Sequence, residues 1–199
     1  MQSQLTLCMG NGKVTACCDY HFYRRMIMMT PTDIAALNSA LRMNGVDVCL
    51  YGGWGFDFMS GQQSRPHGDV DFFAWQADRQ LLHQQMIALG FLCDQLRSAP
   101  FELESADYVR GDLVAGFVFW QAFPYGSVTL SGRFYDAEWS FQPDQARICS
   151  LNGAACPVVN ERDLVYMSSD FRTRILKRPV EDKHWCDIAR VRSGEAFLV

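Results

Sequence analysis

The sequence predicts an α+β fold, a mixed sheet with helices packed mainly on one side. Three observations predict it. Helical and strand patterns alternate at first, in the order helix, strand, helix, strand, helix, and several strands then follow one another. The apolar runs at 46–51 and 69–75 have strand length, not helix length. The amphipathic stretches between them each end at a glycine.

Residues 1–29 carry three of the eight cysteines and no clear period, so they read as an N-terminal extension preceding a single domain at 30–199. Thr30-Pro31-Thr32-Asp33 has the residue types of a helix start: a hydroxyl cap, proline in the first turn and an acid three residues on. Ile34, Leu37 and Leu41 follow at helical spacing, and Gly45 can end the helix. Val46 to Tyr51 reads as a buried strand, Trp54 to Ser60 as a short helix and 61–68 as a polar loop. Asp69 to Trp75 reads as a second strand. Asp78 to Leu89 is a helix with Leu82, Met86 and Leu89 on one face. Strands are expected at 101–110 and 113–123 around Gly111-Asp112, with a hairpin at 127–130 and 133–135. Asn160 caps a helix bearing Leu164, Met167 and Phe171. After Pro179 a last helix runs from Glu181 to Arg192.

Composition narrows the function. With 49% hydrophobic and 20% charged residues, the 199-residue chain suits a folded globular protein. A net charge of −4 argues against an extended nucleic-acid surface and favours a cationic substrate. No apolar run approaches the roughly 18 residues of a membrane helix, and the first ten residues lack a secretory pattern, so the expected compartment is the cytoplasm. No Cys-x-x-Cys pair occurs, and the cysteines read as reduced structural thiols.

The chemistry is concentrated between residues 52 and 71. Gly52-Gly53 leaves a strand, and Arg65-Pro66-His67-Gly68-Asp69-Val70-Asp71 follows. Residues two apart on a strand share a face, so Asp69 and Asp71 can converge. Two convergent carboxylates need a cation, and Mg²⁺ binds one or two carboxylates together with phosphate oxygens. Glycines allow backbone N–H groups close to an anion, and a helix N-terminus favours it. Together these outline a nucleotidyl-transfer site.

The order Gly52, Gly53, Trp54, Asp57, Gly61, Arg65, His67, Asp69, Asp71 resembles the signature of the small antibiotic nucleotidyltransferases, the lincosamide and 2″-aminoglycoside types, within the DNA polymerase beta-like superfamily. A weaker resemblance extends from about Thr30 to Arg192. It implies a polymerase-beta-like fold and transfer of a nucleoside monophosphate, AMP from ATP, to a hydroxyl of a small molecule such as an aminoglycoside or lincosamide. It also implies two Mg²⁺ ions held by Asp69 and Asp71. Gly52, Gly53, Arg65 and His67 would bind nucleotide, with Lys183 adding charge. The family's third carboxylate, from a later strand, falls on Gly116, and Asp112 and Glu138, nearby in sequence, are the candidates to take its catalytic place. Outward-facing aromatics after residue 117, with Asp136 and Glu138, would suit a cationic antibiotic acceptor. Gly116 also leaves open a binding homologue without turnover, or an antitoxin-like nucleotidyltransferase acting on a protein partner.

Overall fold

The computed structural model describes residues 29–97, 104–123, 126–132 and 139–194. The expected extension at 1–28, the strand at 133–135, and Asp136 and Glu138 lie outside the described residues.

The first helix, α1 (Pro31–Met43), starts as its sequence requires. Thr30 Oγ1 accepts the Asp33 N–H at 3.2 Å, and the Asp33 carboxylate accepts the Thr30 N–H at 2.9 Å. Strand β1 (Val48–Tyr51) runs directly into α2 (Gly52–Ser60), so the glycine pair forms the first turn of the helix itself and not a loop before it. Next come β2 (Val70–Trp75), α3 (Arg79–Ala88), β3 (Leu92–Arg97), β4 (Ser105–Arg110), β5 (Leu113–Ala122) and β6 (Val128–Leu130). The hairpin β7 (Arg147–Leu151) and β8 (Ala154–Val158) precedes α4 (Glu161–Ser168), a π-helical turn (Phe171–Ile175) and α5 (Asp182–Gly194).

Three of these strands escape periodicity. Strand β3 lies at the sheet edge with Leu92 and Leu96 exposed, so its apolar residues report no core face. The β7–β8 hairpin is poor in large β-branched residues. Its turn, Asn152-Gly153, takes positive φ at both residues (51° and 80°), and that Asn-Gly pair is the signal that could have revealed it. The helix expected to carry Phe171 ends at Ser168, and the chain widens into the π-helical turn.

The sheet order is β3-β4-β5-β2-β1-β8-β7, with β6 paired to β5. The β2–β5 and β1–β8 pairs are parallel and the others antiparallel, so the predicted mixed sheet and α+β class hold, but helices cover both faces, α1 and α3 one and α4 and α5 the other, and not mainly one side. Alternation along the strands divides the core. Val70, Phe72 and Phe117 face a cluster shared with Ile34 and Leu41 of α1 and Leu82 and Met86 of α3. Phe73, Val118 and Trp120 face a second cluster with Leu164 and Tyr166 of α4 and Ile188 of α5. Helix α2 contributes to both: Trp54 and Phe58 to the first, Phe56 to the second.

Register then places the chemistry. Tyr51, at the end of β1, pairs with Asp71, and Asp71 pairs on its other side with Gly116 of β5. The carboxylate therefore stands in mid-sheet beside the start of α2.

Candidate functional site

The two glycines are required by close approach. Gly52 has φ +67°, and a Cβ there would overlap the Asp71 carboxylate. A Cβ on Gly53 would overlap the His67 ring. Tyr51 caps α2 with backbone alone, and no acid lies in the first turn, so the first amides of the helix face the cavity without a side-chain acceptor.

That cavity, about 420 Å³, is bounded by Gly52 and Gly53, by Asp69 and Asp71, and by a cationic group comprising Arg65, Arg172, Arg178 and Lys183. Asp69 precedes the first residue of β2, and Asp71 is the second residue of the strand. Burial raises the Asp71 pKa to about 8, with the charges of Asp69 and Asp107 adding to it. None of these influences is a cation. The donor set fits a divalent ion on this ground: it is a half-buried carboxylate beside like charges, at the edge of a cavity with room for another ligand. Among the described residues no three His, Cys, Asp or Glu side chains are grouped to hold an ion, so phosphate oxygens would have to complete its shell.

The basic wall is drawn from several elements. Arg65 extends from the loop before β2. Its Nη1 donates to His67 Nδ1 at 2.7 Å, and its Nη2 donates to Asp187 of α5 at 2.9 Å. Because arginine only donates, His67 Nδ1 must accept, and the ring proton sits on Nε2, which donates to Asp57 at 2.6 Å. Asp57 also accepts from Ser64 and from Arg190 Nη1 at 2.8 Å, while Arg190 Nη2 bonds Asp187 at 2.9 Å. Burial would raise the Asp57 pKa, but the bonds from His67, Ser64 and Arg190 outweigh it and hold it below its ordinary value. Asp57 thus orients Arg65 through His67 and closes α2 against α5. Both His67 nitrogens are occupied by protein groups, so His67 positions the arginine. Lys183 is half exposed and pairs with Glu181 at 2.9 Å, and the same Glu181 accepts from Arg172 Nη2 at 3.2 Å. The Nε atoms of Arg65 and Arg172 are buried with no acceptor in reach.

The structure brings Gly52, Gly53, Arg65, His67, Asp69, Asp71 and Lys183 to one cavity. It does not bring Asp112 there. Asp112 lies in the tight turn after Arg110, four residues along the chain from Gly116 and so about 13 Å away along an extended strand. Motif reading missed Arg172, Arg178, Asp187, Arg190 and Asp107. The first four reach the site only when the π-helical turn packs on α4 and α5 folds back onto α2. Asp107 is placed by strand pairing, because it sits opposite Gly116 from the β4 side.

The same architecture occurs in solved structures. The lincosamide antibiotic adenylyltransferase LnuA, bound to lincomycin, is similar at a TM-score of 0.64 and 17% identity, over 83% of this chain and 98% of that one. ANT(2'')-Ia in complex with adenylyl-2''-tobramycin is similar at a TM-score of 0.61 and 13% identity, over 83% of this chain and 88% of that one. At such identities these likenesses bear on the fold. No curated protein sequence matches the chain. The profile that describes aminoglycoside-2''-adenylyltransferases matches residues 33–166, a stretch that runs from the first turn of α1 through the glycine pair and both aspartates into α4. By that match over more than half its length, the chain belongs to the aminoglycoside-2''-adenylyltransferase family of antibiotic nucleotidyltransferases.

Proposed function

We propose that this protein transfers AMP from ATP to a hydroxyl of a small cationic antibiotic, an aminoglycoside or a lincosamide, in a Mg²⁺-dependent reaction. The observation that carries this reading is the single cavity in which a helix N-terminus, two acidic side chains and a group of arginines meet. Bound Mg²⁺ would neutralise the triphosphate and stabilise the entering and leaving oxygens.

The residues divide this work. Asp69 and Asp71 supply carboxylate ligands. The open amides of Gly52 and Gly53 suit phosphate oxygens, which have no side chain to push past. Arg65, held from behind by His67 and Asp187, presents its remaining N–H to the cavity, and Arg172, Arg178 and Lys183 add positive charge where the pyrophosphate would depart. The acceptor hydroxyl then approaches the α-phosphorus from the side opposite the leaving oxygen.

Pyrophosphate release and mass spectrometry test the reading, with ATP and the other nucleoside triphosphates against a panel of aminoglycosides and lincosamides. A mass increase equal to one nucleotide on one acceptor, dependent on Mg²⁺, is expected. Absence of product with every pair would overturn it. The rival reading, a binding protein without turnover, is favoured by Gly116 in the place of an acid. Calorimetry showing Mg·ATP binding with no acceptor ever modified would select it.

A further inference from the structure

Gly116 is the middle member of a row that runs straight across three strands. Asp71 of β2 is its partner on one side and Asp107 of β4 its partner on the other. Directly paired residues project to the same face, so Asp71 and Asp107 point the same way across two strand spacings, about 10 Å between backbones. Any side chain between them would separate them. Glycine leaves the space open, and both carboxylates lean into it: the point a Gly116 Cβ would occupy is 3.2 Å from Asp71 Oδ1 and 3.3 Å from Asp107 Oδ1.

The face is the catalytic one. Val118, two residues beyond Gly116 on β5, lines the cavity, as does Asp71, whereas Ala106 and Tyr108, on either side of Asp107, are buried in the opposite core. Asp107 is itself half-buried, so it is partly shielded without being sealed off.

From this we propose that Asp107 is the general base of the transfer reaction, the acid having moved one strand outward from β5 to β4 while position 116 became glycine to let it reach. The inference rests on the nucleotidyl-transfer reading above. The step balances. The acceptor O–H proton passes to a carboxylate oxygen of Asp107, the acceptor oxygen bonds to the α-phosphorus, and the bond from that phosphorus to the bridging oxygen breaks, its electron pair leaving with pyrophosphate. Positions 107 and 116 are therefore coupled: an acid at 107 reaches the space beside Asp71 because position 116 is glycine.

The test uses the full chain and compares wild type with Asp107→Asn, Asp107→Gly and the swap Asp107→Gly/Gly116→Asp. Turnover is read by pyrophosphate release. Mn²⁺ affinity is read by calorimetry in the presence of α,β-methylene-ATP, which cannot react. Asp107→Asn should lower kcat by about 10²- to 10⁴-fold, the range of a lost general base, and leave Mn²⁺ affinity within about threefold of wild type. Formate should restore turnover to Asp107→Gly saturably, and the swap should exceed Asp107→Gly by about tenfold or more; neither result follows from a merely structural role. Asp107→Asn with near wild-type kcat would overturn the proposal while leaving the transferase reading intact. So would a loss of Mn²⁺ affinity as large as that of Asp71→Asn, which would make Asp107 a ligand. A wild-type protein that binds nucleotide but turns over no acceptor would sink the transferase reading, and this inference with it.

Discussion

Two groups of aspartates stand on either side of the α2 N-terminus, and their surroundings are opposite. Asp57 and Asp187 are buried and fully answered: two arginines, a histidine and a serine supply their bonds, with distances of 2.6–3.1 Å. Asp71 is half-buried, and what acts on it is desolvation and two more carboxylates, Asp69 and Asp107. The same side chain does different work in the two places. Where counter-charges are built into the fold, the acid holds elements together. Where they are withheld, the fold carries an electrostatic cost that a bound cation would relieve. The paired group is the frame, and the acidic group is the position where charge is to arrive.

Breaking the acidic side should have the largest effect. Asp71→Asn should lower turnover by about a thousandfold or more, a size expected when metal-assisted catalysis is lost, measured as initial rates of pyrophosphate release. The same variant should be more stable than wild type without metal at neutral pH, by about 2–8 °C in Tm, because the folded state no longer has to hold a proton that the unfolded chain releases. The sign follows from the raised pKa. Between pH 4 and 8 the unfolded chain has already released the Asp71 proton while the folded one retains it. The metal-free protein should therefore lose stability as pH rises through that window, and Asp71→Asn should flatten the loss. Asp57 predicts the reverse. Its pKa is lowered, so its contribution is present above pH 4 and disappears as pH falls through its folded value. Thermal melts from pH 3 to 9 with a chelator present would separate the two.

Next in size is the frame. Arg190→Ala removes one partner from each of two buried carboxylates and should cost about 3–5 kcal/mol in denaturant unfolding. A loss under 1 kcal/mol would show that the two sides differ less than their geometry does. Gly53→Ala should cost about 1–3 kcal/mol, since the added methyl meets the His67 ring and forces it to shift. It should also raise the KM for nucleotide through the displaced Arg65. The smallest effect belongs to Lys183→Ala. This residue is half exposed and paired with Glu181, so a nucleotide KM raised by about two- to fivefold with kcat unchanged is expected, the size of a screened surface charge.

What could be read in advance follows the distance along the chain. The capping box at Thr30 and Asp33 spans four residues, and the glycine pair and the Arg-x-His-x-Asp-x-Asp run lie within twenty, so their meaning is carried by local geometry: a helix start, a strand's alternation, a loop between. The β7–β8 hairpin was legible in principle from Asn152-Gly153. Arg172, Asp187 and Arg190 were not, because nothing in their own segments says that the π-helical turn packs on α4 and that α5 folds back onto α2.

The sequence by itself determined the α+β class, the short helix after the glycine pair and the two neighbouring aspartates, since each depends on periods and turns within a few residues. Only the tertiary structure decided which acids would meet arginines and which would stand beside Asp71. It paired Asp57 and Asp187 with arginines more than a hundred residues away, and it set Asp107 across Gly116 from Asp71 through the register of two neighbouring strands. A strand pairing one residue out of step would have turned Asp107 to the other face, and no local signal in the chain records that choice.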